Sequence, residues 1–173
     1  GLAFSDVTTG EFRMCEIPLN DLSGMLAQIQ PAEILGLKKQ LAAHASIFGN
    51  TPVTPFESWI KEGDYAYESL LEHFKTHSLK GFGVENLRFA QVAAGALLEY
   101  VKDNQRRSLA HIRRISPFES GHYMKLDGST KRNLELTSSL QDGQQEGTLI
   151  SILDQTVTPM GARLLRKWMM QPL

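Results

Sequence analysis

The chain reads as a mixed α/β domain followed by a helical segment. Three observations carry that reading. Two short apolar runs flank a Gly-bearing turn at the front, the pattern of a β-hairpin. Short strand-like runs then alternate with stretches whose apolar residues recur at helical spacing, which points to a mixed α/β unit. Beyond residue 121 apolar stripes at helical spacing dominate, and Lys and Arg are more frequent from Lys102 on than before it.

Leu2–Val7 and Glu11–Glu16 are the expected hairpin strands, joined through Thr8, Thr9 and Gly10, where glycine supplies a permissive backbone. Asn20 or Asp21 is placed to cap a helix carrying Leu22, Met25, Leu26 and Ile29, the i, i+3, i+4, i+7 set of one buried face. Pro31 closes that helix, because the residue before a proline is pushed out of the helical region. Glu33–Leu37 is expected as a strand, Lys38–Ala45 as a short helix, and Val53 and Phe56 as part of an edge strand flanked by prolines. Asp64 is expected to cap a helix over Tyr65–Phe74, with Leu70, Leu71 and Phe74 inward. Gly81 and Gly83 mark a tight connection. Asn86 opens the strongest helix, which runs to Asp103 with Leu87, Ala90, Ala94, Leu97, Leu98 and Val101 as its apolar stripe. The small residues Ala90, Ala93, Ala94, Gly95 and Ala96 suit close approach to a sheet or a second helix.

Leu109, His111 and Ile112 fit a strand. Ser116–Gly121 is loop-like and is the expected boundary, giving units 1–115 and 116–173. Tyr123–Leu126 alternates as a short strand. Asp127 is expected to cap a helix with Thr130, Leu134, Thr137 and Leu140 on one face and Lys131, Arg132 and Glu135 on others. Gln141–Gly147 is a polar turn, and Thr148 caps a helix through Leu153. Pro159 suits the first turn of a last helix. Its expected buried set is Leu164, Leu165, Trp168 and Met169, with Arg163, Arg166 and Lys167 outside. This region reads as the opening of a larger helical unit, whose apolar stripes would pack on further elements.

The 173 residues carry a net charge of −1, but unevenly. Residues 1–101 hold 7 basic and 12 acidic side chains, net −5, and residues 102–173 hold 11 and 7, net +4. The split fits two units with different surroundings. No apolar run approaches the roughly 20 residues of a membrane span, and no signal-peptide pattern is visible. Cys15 is the one cysteine, which excludes an internal disulfide and suits a reducing setting.

The chemistry-bearing patterns are weak. No G-x-x-x-x-G-K-[ST] phosphate loop is present, and Gly81-Phe82-Gly83 lacks the third glycine of a dinucleotide fingerprint. His73 and His77 are four apart, but no further ligands stand at zinc spacing. Cys15 reads as a small core residue. Asp6 and Glu11 flank the hairpin turn. Asp6 reads as a cap on that turn, against a role as one of the converging carboxylates that two-metal hydrolysis needs. Lys102, Arg106, Arg107, Arg113 and Arg114 form a basic run that suits phosphate contacts or pairing with carboxylates within or between domains.

Several long motifs carry a family resemblance. They are Gly1–Phe12, Gly81–Asn86, Ala93–Leu98, Lys102–Arg106, Thr148–Leu173 and, most specifically, Met124–Leu136 with its run MKLDGSTKRNLEL. In this order and over essentially the whole chain, they resemble the MutS family of DNA mismatch repair proteins.

The resemblance implies that residues 1–115 are a connector domain, an α/β unit with RNase H-like topology and no nuclease activity. It implies that residues 116–173 are the first, truncated part of a helical core or lever domain. The mismatch-reading module with its Phe-x-Glu wedge is expected before Gly1 and the ATPase domain after Leu173. The chain is therefore expected to be a non-catalytic fragment with no cofactor of its own, ATP and Mg²⁺ belonging to the parent protein. Its implied partners are the rest of that chain and its dimer partner, the protein MutL, and mismatched duplex DNA through the parent protein. No membrane is involved, and the implied setting is the bacterial cytoplasm. On the helix after Asp64 the resemblance places a MutL-facing surface, here at Glu68 and Ser69, where family members often carry polar amides. Arg106, Arg107, Arg113 and Arg114 are the candidates for phosphate or interdomain contacts. Two other readings stay beside this one: a metal-dependent RNase H-like nuclease led by Asp6, and a nonspecific DNA-binding module led by those arginines.

Overall fold

The computed structural model describes residues 1–56, 63–104, 109–118, 124, 126, 128–170 and 172. By contacts the chain divides into two units. The first comprises Gly1–Leu22 and Pro31–Phe118, the second Ser23–Gln30 and Glu119–Leu173.

In the first unit, β1 (Leu2–Asp6) and β2 (Glu11–Cys15) form the expected antiparallel hairpin, with Phe4 opposite Arg13 and Asp6 opposite Glu11. Gly10 turns the corner at φ 76°, and a β-carbon there would meet the His111 carbonyl oxygen at 2.6 Å. Positive φ and close approach thus both require glycine at this position. The turn is held from the other side by His111, whose Nε2 lies 2.7 Å from the Val7 carbonyl oxygen. On its other edge β2 pairs in parallel with β5 (Ser116–Pro117), Arg13 opposite Ser116. Ser116 and Pro117, expected in a loop, are therefore ladder residues, and the Phe118 N–H extends the pairing to the Met14 carbonyl at 2.8 Å.

After α1 (Leu22–Ile29) comes a second sheet of two strands. β3 (Ile34–Leu37) and β4 (Val53–Phe56) run parallel, connected through α2 (Lys38–Ala43) and α3 (Ala45–Phe48). Parallel strands need such a crossover. Glu33, just before β3, accepts from Thr54 Oγ1 of β4 and, at 2.8 Å, from the Tyr100 hydroxyl.

Two helices complete the unit. α4 (Gly63–Phe74) packs on α5 (Arg88–Asn104). The small-residue face of α5 has the use its composition suggested: a β-carbon on Gly95 would sit 2.6 Å from that of Ala66. α5 starts under an acceptor from far away in sequence. Glu16, directly after β2, accepts from the N–H groups of Phe89 at 2.7 Å and Ala90 at 3.3 Å. A carboxylate at a helix N-terminus satisfies orphan donors and meets the positive end of the helix dipole. Phe12 and Met14 of β2, Leu70 of α4, Ala90, Ala94 and Leu98 of α5, and Leu109, Ile112 and Ile115 belong to one buried cluster. Leu109–Ile112, expected as a strand, is instead a turn closed by the Ile112 N–H on the Leu109 carbonyl. Its buried residues recur every third position, where a strand would bury every second. Asp64, expected as a cap, lies inside the first turn of α4, where its charge still favours the dipole.

The described residues of the second unit are helical or in loops: α1 from Ser23 on, with Gln30 after it, then α6 (Gly128–Asn133), α7 (Leu149–Leu153) and α8 (Pro159–Met170). Thr148 caps α7 as expected, its side chain accepting from the Ser151 N–H, and Pro159 begins α8. Three expectations change. Tyr123, Lys125 and Asp127 lie outside the described residues, and Met124 and Leu126 are in no strand. α6 ends at Asn133 instead of continuing to Leu140, because Glu135 takes φ 44°. Leu136, not Leu134 or Leu140, is buried. Leu164 and Trp168 of α8, expected inside, are exposed, with Met170 buried in their place. No helix among the described residues is long and apolar enough to cross a membrane.

Candidate partner-binding surface

Helix α4 presents an acidic outer face. Asp64, Glu68 and Glu72 follow at i, i+4, i+8, the spacing that stacks side chains along one stripe, and all three are exposed. Tyr65 is 40% exposed beside them. The inner face, with Ala66 and Leu70, is fully buried. Local sequence decides this division, because the apolar residues of α4 recur at helical spacing and its acids fall between them.

Of the two residues singled out on this helix, Glu68 lies on the outer face and Ser69 does not. Ser69 is 6% exposed, and its hydroxyl donates to Glu99 Oε1 of α5 at 2.6 Å. Lys102 Nζ completes the group at 2.7 Å from the same Glu99 oxygen and 3.5 Å from Ser69 Oγ. Burial works to raise the Glu99 carboxyl, but hydrogen bonds from Lys102 and Ser69 and the adjacent ammonium outweigh it and hold it below the usual glutamate value. His73, one turn further along α4, has Nε2 3.0 Å from the Ile112 carbonyl oxygen. Burial, its main influence, holds the imidazole below its ordinary value, and the Lys102 charge acts the same way. The acidic face of α4 therefore stands on a polar anchor of Ser69, Glu99, Lys102 and His73. Sequence reasoning missed Glu99 and His73 as members of this anchor. The three-residue spacing of Glu99 and Lys102 on one helix was the available signal.

A second carboxylate fixes the segment after α4. Glu85 accepts from the Tyr67 hydroxyl at 3.0 Å and from the Leu79 N–H at 2.8 Å, while Gln91 donates to the Val84 and Glu85 carbonyls, each at 2.9 Å. Glu85 thus ties Tyr67 of α4 to the segment that follows the helix.

The other candidates are placed as follows. Asp6 Oδ1 accepts from the Thr8 N–H at 2.8 Å, the Thr8 hydroxyl at 2.6 Å and the Thr9 N–H at 3.3 Å. Burial opposes the effect of these bonds, yet they leave the carboxyl below the usual aspartate value. Glu11 pairs with Arg13 on its own strand. The described residues contain no group of three or more His, Cys, Asp or Glu side chains placed to share a metal ion. Cys15 is a buried free thiol, pushed above its ordinary value by burial. Arg106 and Arg107 lie outside the described residues. Arg113 and Arg114 are exposed, and Arg113 Nε donates to the Ala110 carbonyl at 3.3 Å. The structure thus gathers Ser69, Glu99, Lys102 and His73, and it does not bring the acidic residues Asp6, Glu33, Asp64 and Glu68 into one cluster among the described residues.

Comparison with known proteins adds a family. Residues 1–113 match the family model described as MutS domain II, and residues 129–173 that described as MutS domain III. The DNA mismatch repair protein MutS of Salinibacter ruber is 45% identical over the whole chain, which covers 19% of that relative. The proteins of the same name from Chlorobaculum tepidum and Protochlamydia amoebophila are 45% and 43% identical over the whole chain, which covers 20% and 21% of them. The chain spans about a fifth of the length of the curated relatives it matches.

Proposed function

The chain belongs to the MutS family, and on that premise we propose that it is a non-catalytic scaffold. It links a mismatch-reading module to an ATPase core and offers a surface to MutL. The observation that carries the second part is the acidic face of α4, with Glu68 and Glu72 exposed above the Ser69–Glu99–Lys102 anchor. A partner surface that keeps its shape on binding loses less entropy. In this reading Ser69 positions the face, and Glu68 touches the partner.

The domain division we propose is 1–115 for the connector and 116–173 for the beginning of the core. An RNase H-like topology is supported by the order of elements: an antiparallel hairpin first, then parallel strands reached through helices. The bonds that Asp6 receives from Thr8 and Thr9 support a structural carboxylate rather than a nuclease ligand. ATP and Mg²⁺ belong to other parts of the parent protein. Contact with mismatched duplex DNA and with a dimer partner also runs through the whole protein, in the bacterial cytoplasm. Arg106, Arg107, Arg113 and Arg114 serve phosphate or interdomain contacts.

The test is capture of the cognate MutL by this chain and by its Glu68→Lys/Glu72→Lys variant. Capture by the parent chain, weakened in the variant and more so at low salt, is the expected result, because opposite charges steer association. Equal capture by both chains would put the partner surface elsewhere.

A further inference from the structure

Lysine is almost never fully buried unless it is paired, yet Lys131 of α6 is only 7% exposed. Its Nζ donates to the Ala27 carbonyl oxygen of α1 at 3.1 Å, across 104 positions of sequence. Ala27 belongs to the last turn of that helix, where carbonyls lack helical donors and carry the negative end of the dipole. The helix satisfies one of them itself: Gln30, at φ 51°, returns its N–H to the Leu26 carbonyl at 2.8 Å. Lys131 takes the next. Burial holds the ammonium below the ordinary lysine value. Residues 23–30 also group by contacts with residues 119–173, although the chain on both sides of them belongs to the first unit.

We infer that Lys131 is a latch: it fastens α1 to the second unit, so that α1 opens and closes with residues 119–173 and not with the sheets whose sequence it interrupts. The two units are then linked by three passages of the chain, at Leu22–Ser23, Gln30–Pro31 and Phe118–Glu119. A conformational change in the second unit reaches the first through α1 as well as through the passage at Phe118.

Native-state hydrogen exchange on the whole chain tests this. Lys131→Met keeps the apolar stem and removes the donor. The amides of Met25–Gln30 should then exchange about tenfold faster, the worth of one hydrogen bond from a charged group, while those of α5 keep their rates. Two core substitutions provide an arm that leaves Lys131 intact. Ile150→Ala, at a position 2% exposed in the second unit, should speed exchange in α7 and α1 together. Leu98→Ala, in the first unit's buried cluster, should speed α5 and leave α1 alone. Unchanged α1 exchange in Lys131→Met, or α1 following α5 in Leu98→Ala, would overturn the inference.

Discussion

Ser69 and Glu99, thirty positions apart on α4 and α5, share a 2.6 Å hydrogen bond, and Lys102 reaches both. Ser69→Ala removes the hydroxyl and leaves the carboxylate one donor short. Deleting a partner of a charged group costs about 1.5–3 kcal/mol where the group is buried. Glu99 is partly solvated and keeps Lys102, so the lower end, about 1.5 kcal/mol, is expected. Urea unfolding of the two chains measures it. The Glu99 carboxyl should also titrate higher in the variant, which carboxyl NMR shifts would show.

Gly95 faces Ala66 with no space for a β-carbon. Gly95→Ala gains about 1 kcal/mol of helix propensity on α5. Against that, the new methyl would stand 2.6 Å from Ala66 Cβ and 2.8 Å from its Cα, and overpacking of this kind costs about 1–3 kcal/mol. The contact is with backbone and Cβ, which cannot rotate away, so the steric side prevails and the variant is less stable. Adding Ala66→Gly removes the opposing methyl and should recover part of the loss. A double-mutant cycle reads that coupling, and additive effects would show that the two helices do not meet here.

Glu16 closes the N-terminus of α5 from the end of β2. Glu16→Ala leaves two N–H groups without an acceptor and should cost about 1 kcal/mol, as cap losses do. Glu16→Gln keeps an oxygen and loses only the charge. Its smaller loss should vanish in high salt, which screens the interaction of an exposed charge with the helix end. Denaturation midpoints at low and high salt separate the two terms.

The parts of the fold that were legible in the sequence rest on local chemistry. Thr8-Thr9-Gly10 marks the hairpin, Thr148 and Pro159 mark helix starts, and the apolar period of α5 marks its buried face. The misread parts depend on partners distant in sequence. α6 stops early where Glu135 turns to φ 44°, and the backbone after it is used elsewhere: the N–H groups of Leu149 and Ile150 donate to the carbonyls of Glu135 and Leu136. Nothing local to Leu134–Leu140 encodes that pairing. Ser116 and Pro117 look like loop residues, since a proline lacks a donor, but they lie at a sheet edge where a missing donor is tolerated. On the candidate surface, Glu68 and Ser69 are neighbours in sequence, but one is exposed and the other buried, about 100° further round the helix. The amphipathic pattern of α4 separates them, whereas the Glu99 partner that fixes Ser69 is visible only in the fold.

His73 gives the first unit a predictable response to acid. Its folded pKa lies below the ordinary imidazole value of 6.5, mainly through burial. Between the folded value and 6.5 the unfolded chain binds more protons at this residue, so stability falls as pH falls through that window. Glu99 acts in the same direction lower on the scale. Its folded pKa lies below 4.5, so its contribution is present above that value and is lost as pH drops through the folded one. Acid should therefore destabilise the unit in two steps. His73→Gln keeps an N–H donor for the Ile112 carbonyl and does not titrate, so it should flatten the upper step and only slightly shrink the lower one, since the charged imidazole is the smallest of the influences that hold Glu99 down. Ser69→Ala weakens the bonds that lower Glu99 and should shrink the lower step only. Urea midpoints measured from pH about 7.5 down to about 2 resolve both steps. If the upper step keeps its slope in His73→Gln, a group other than His73 carries it.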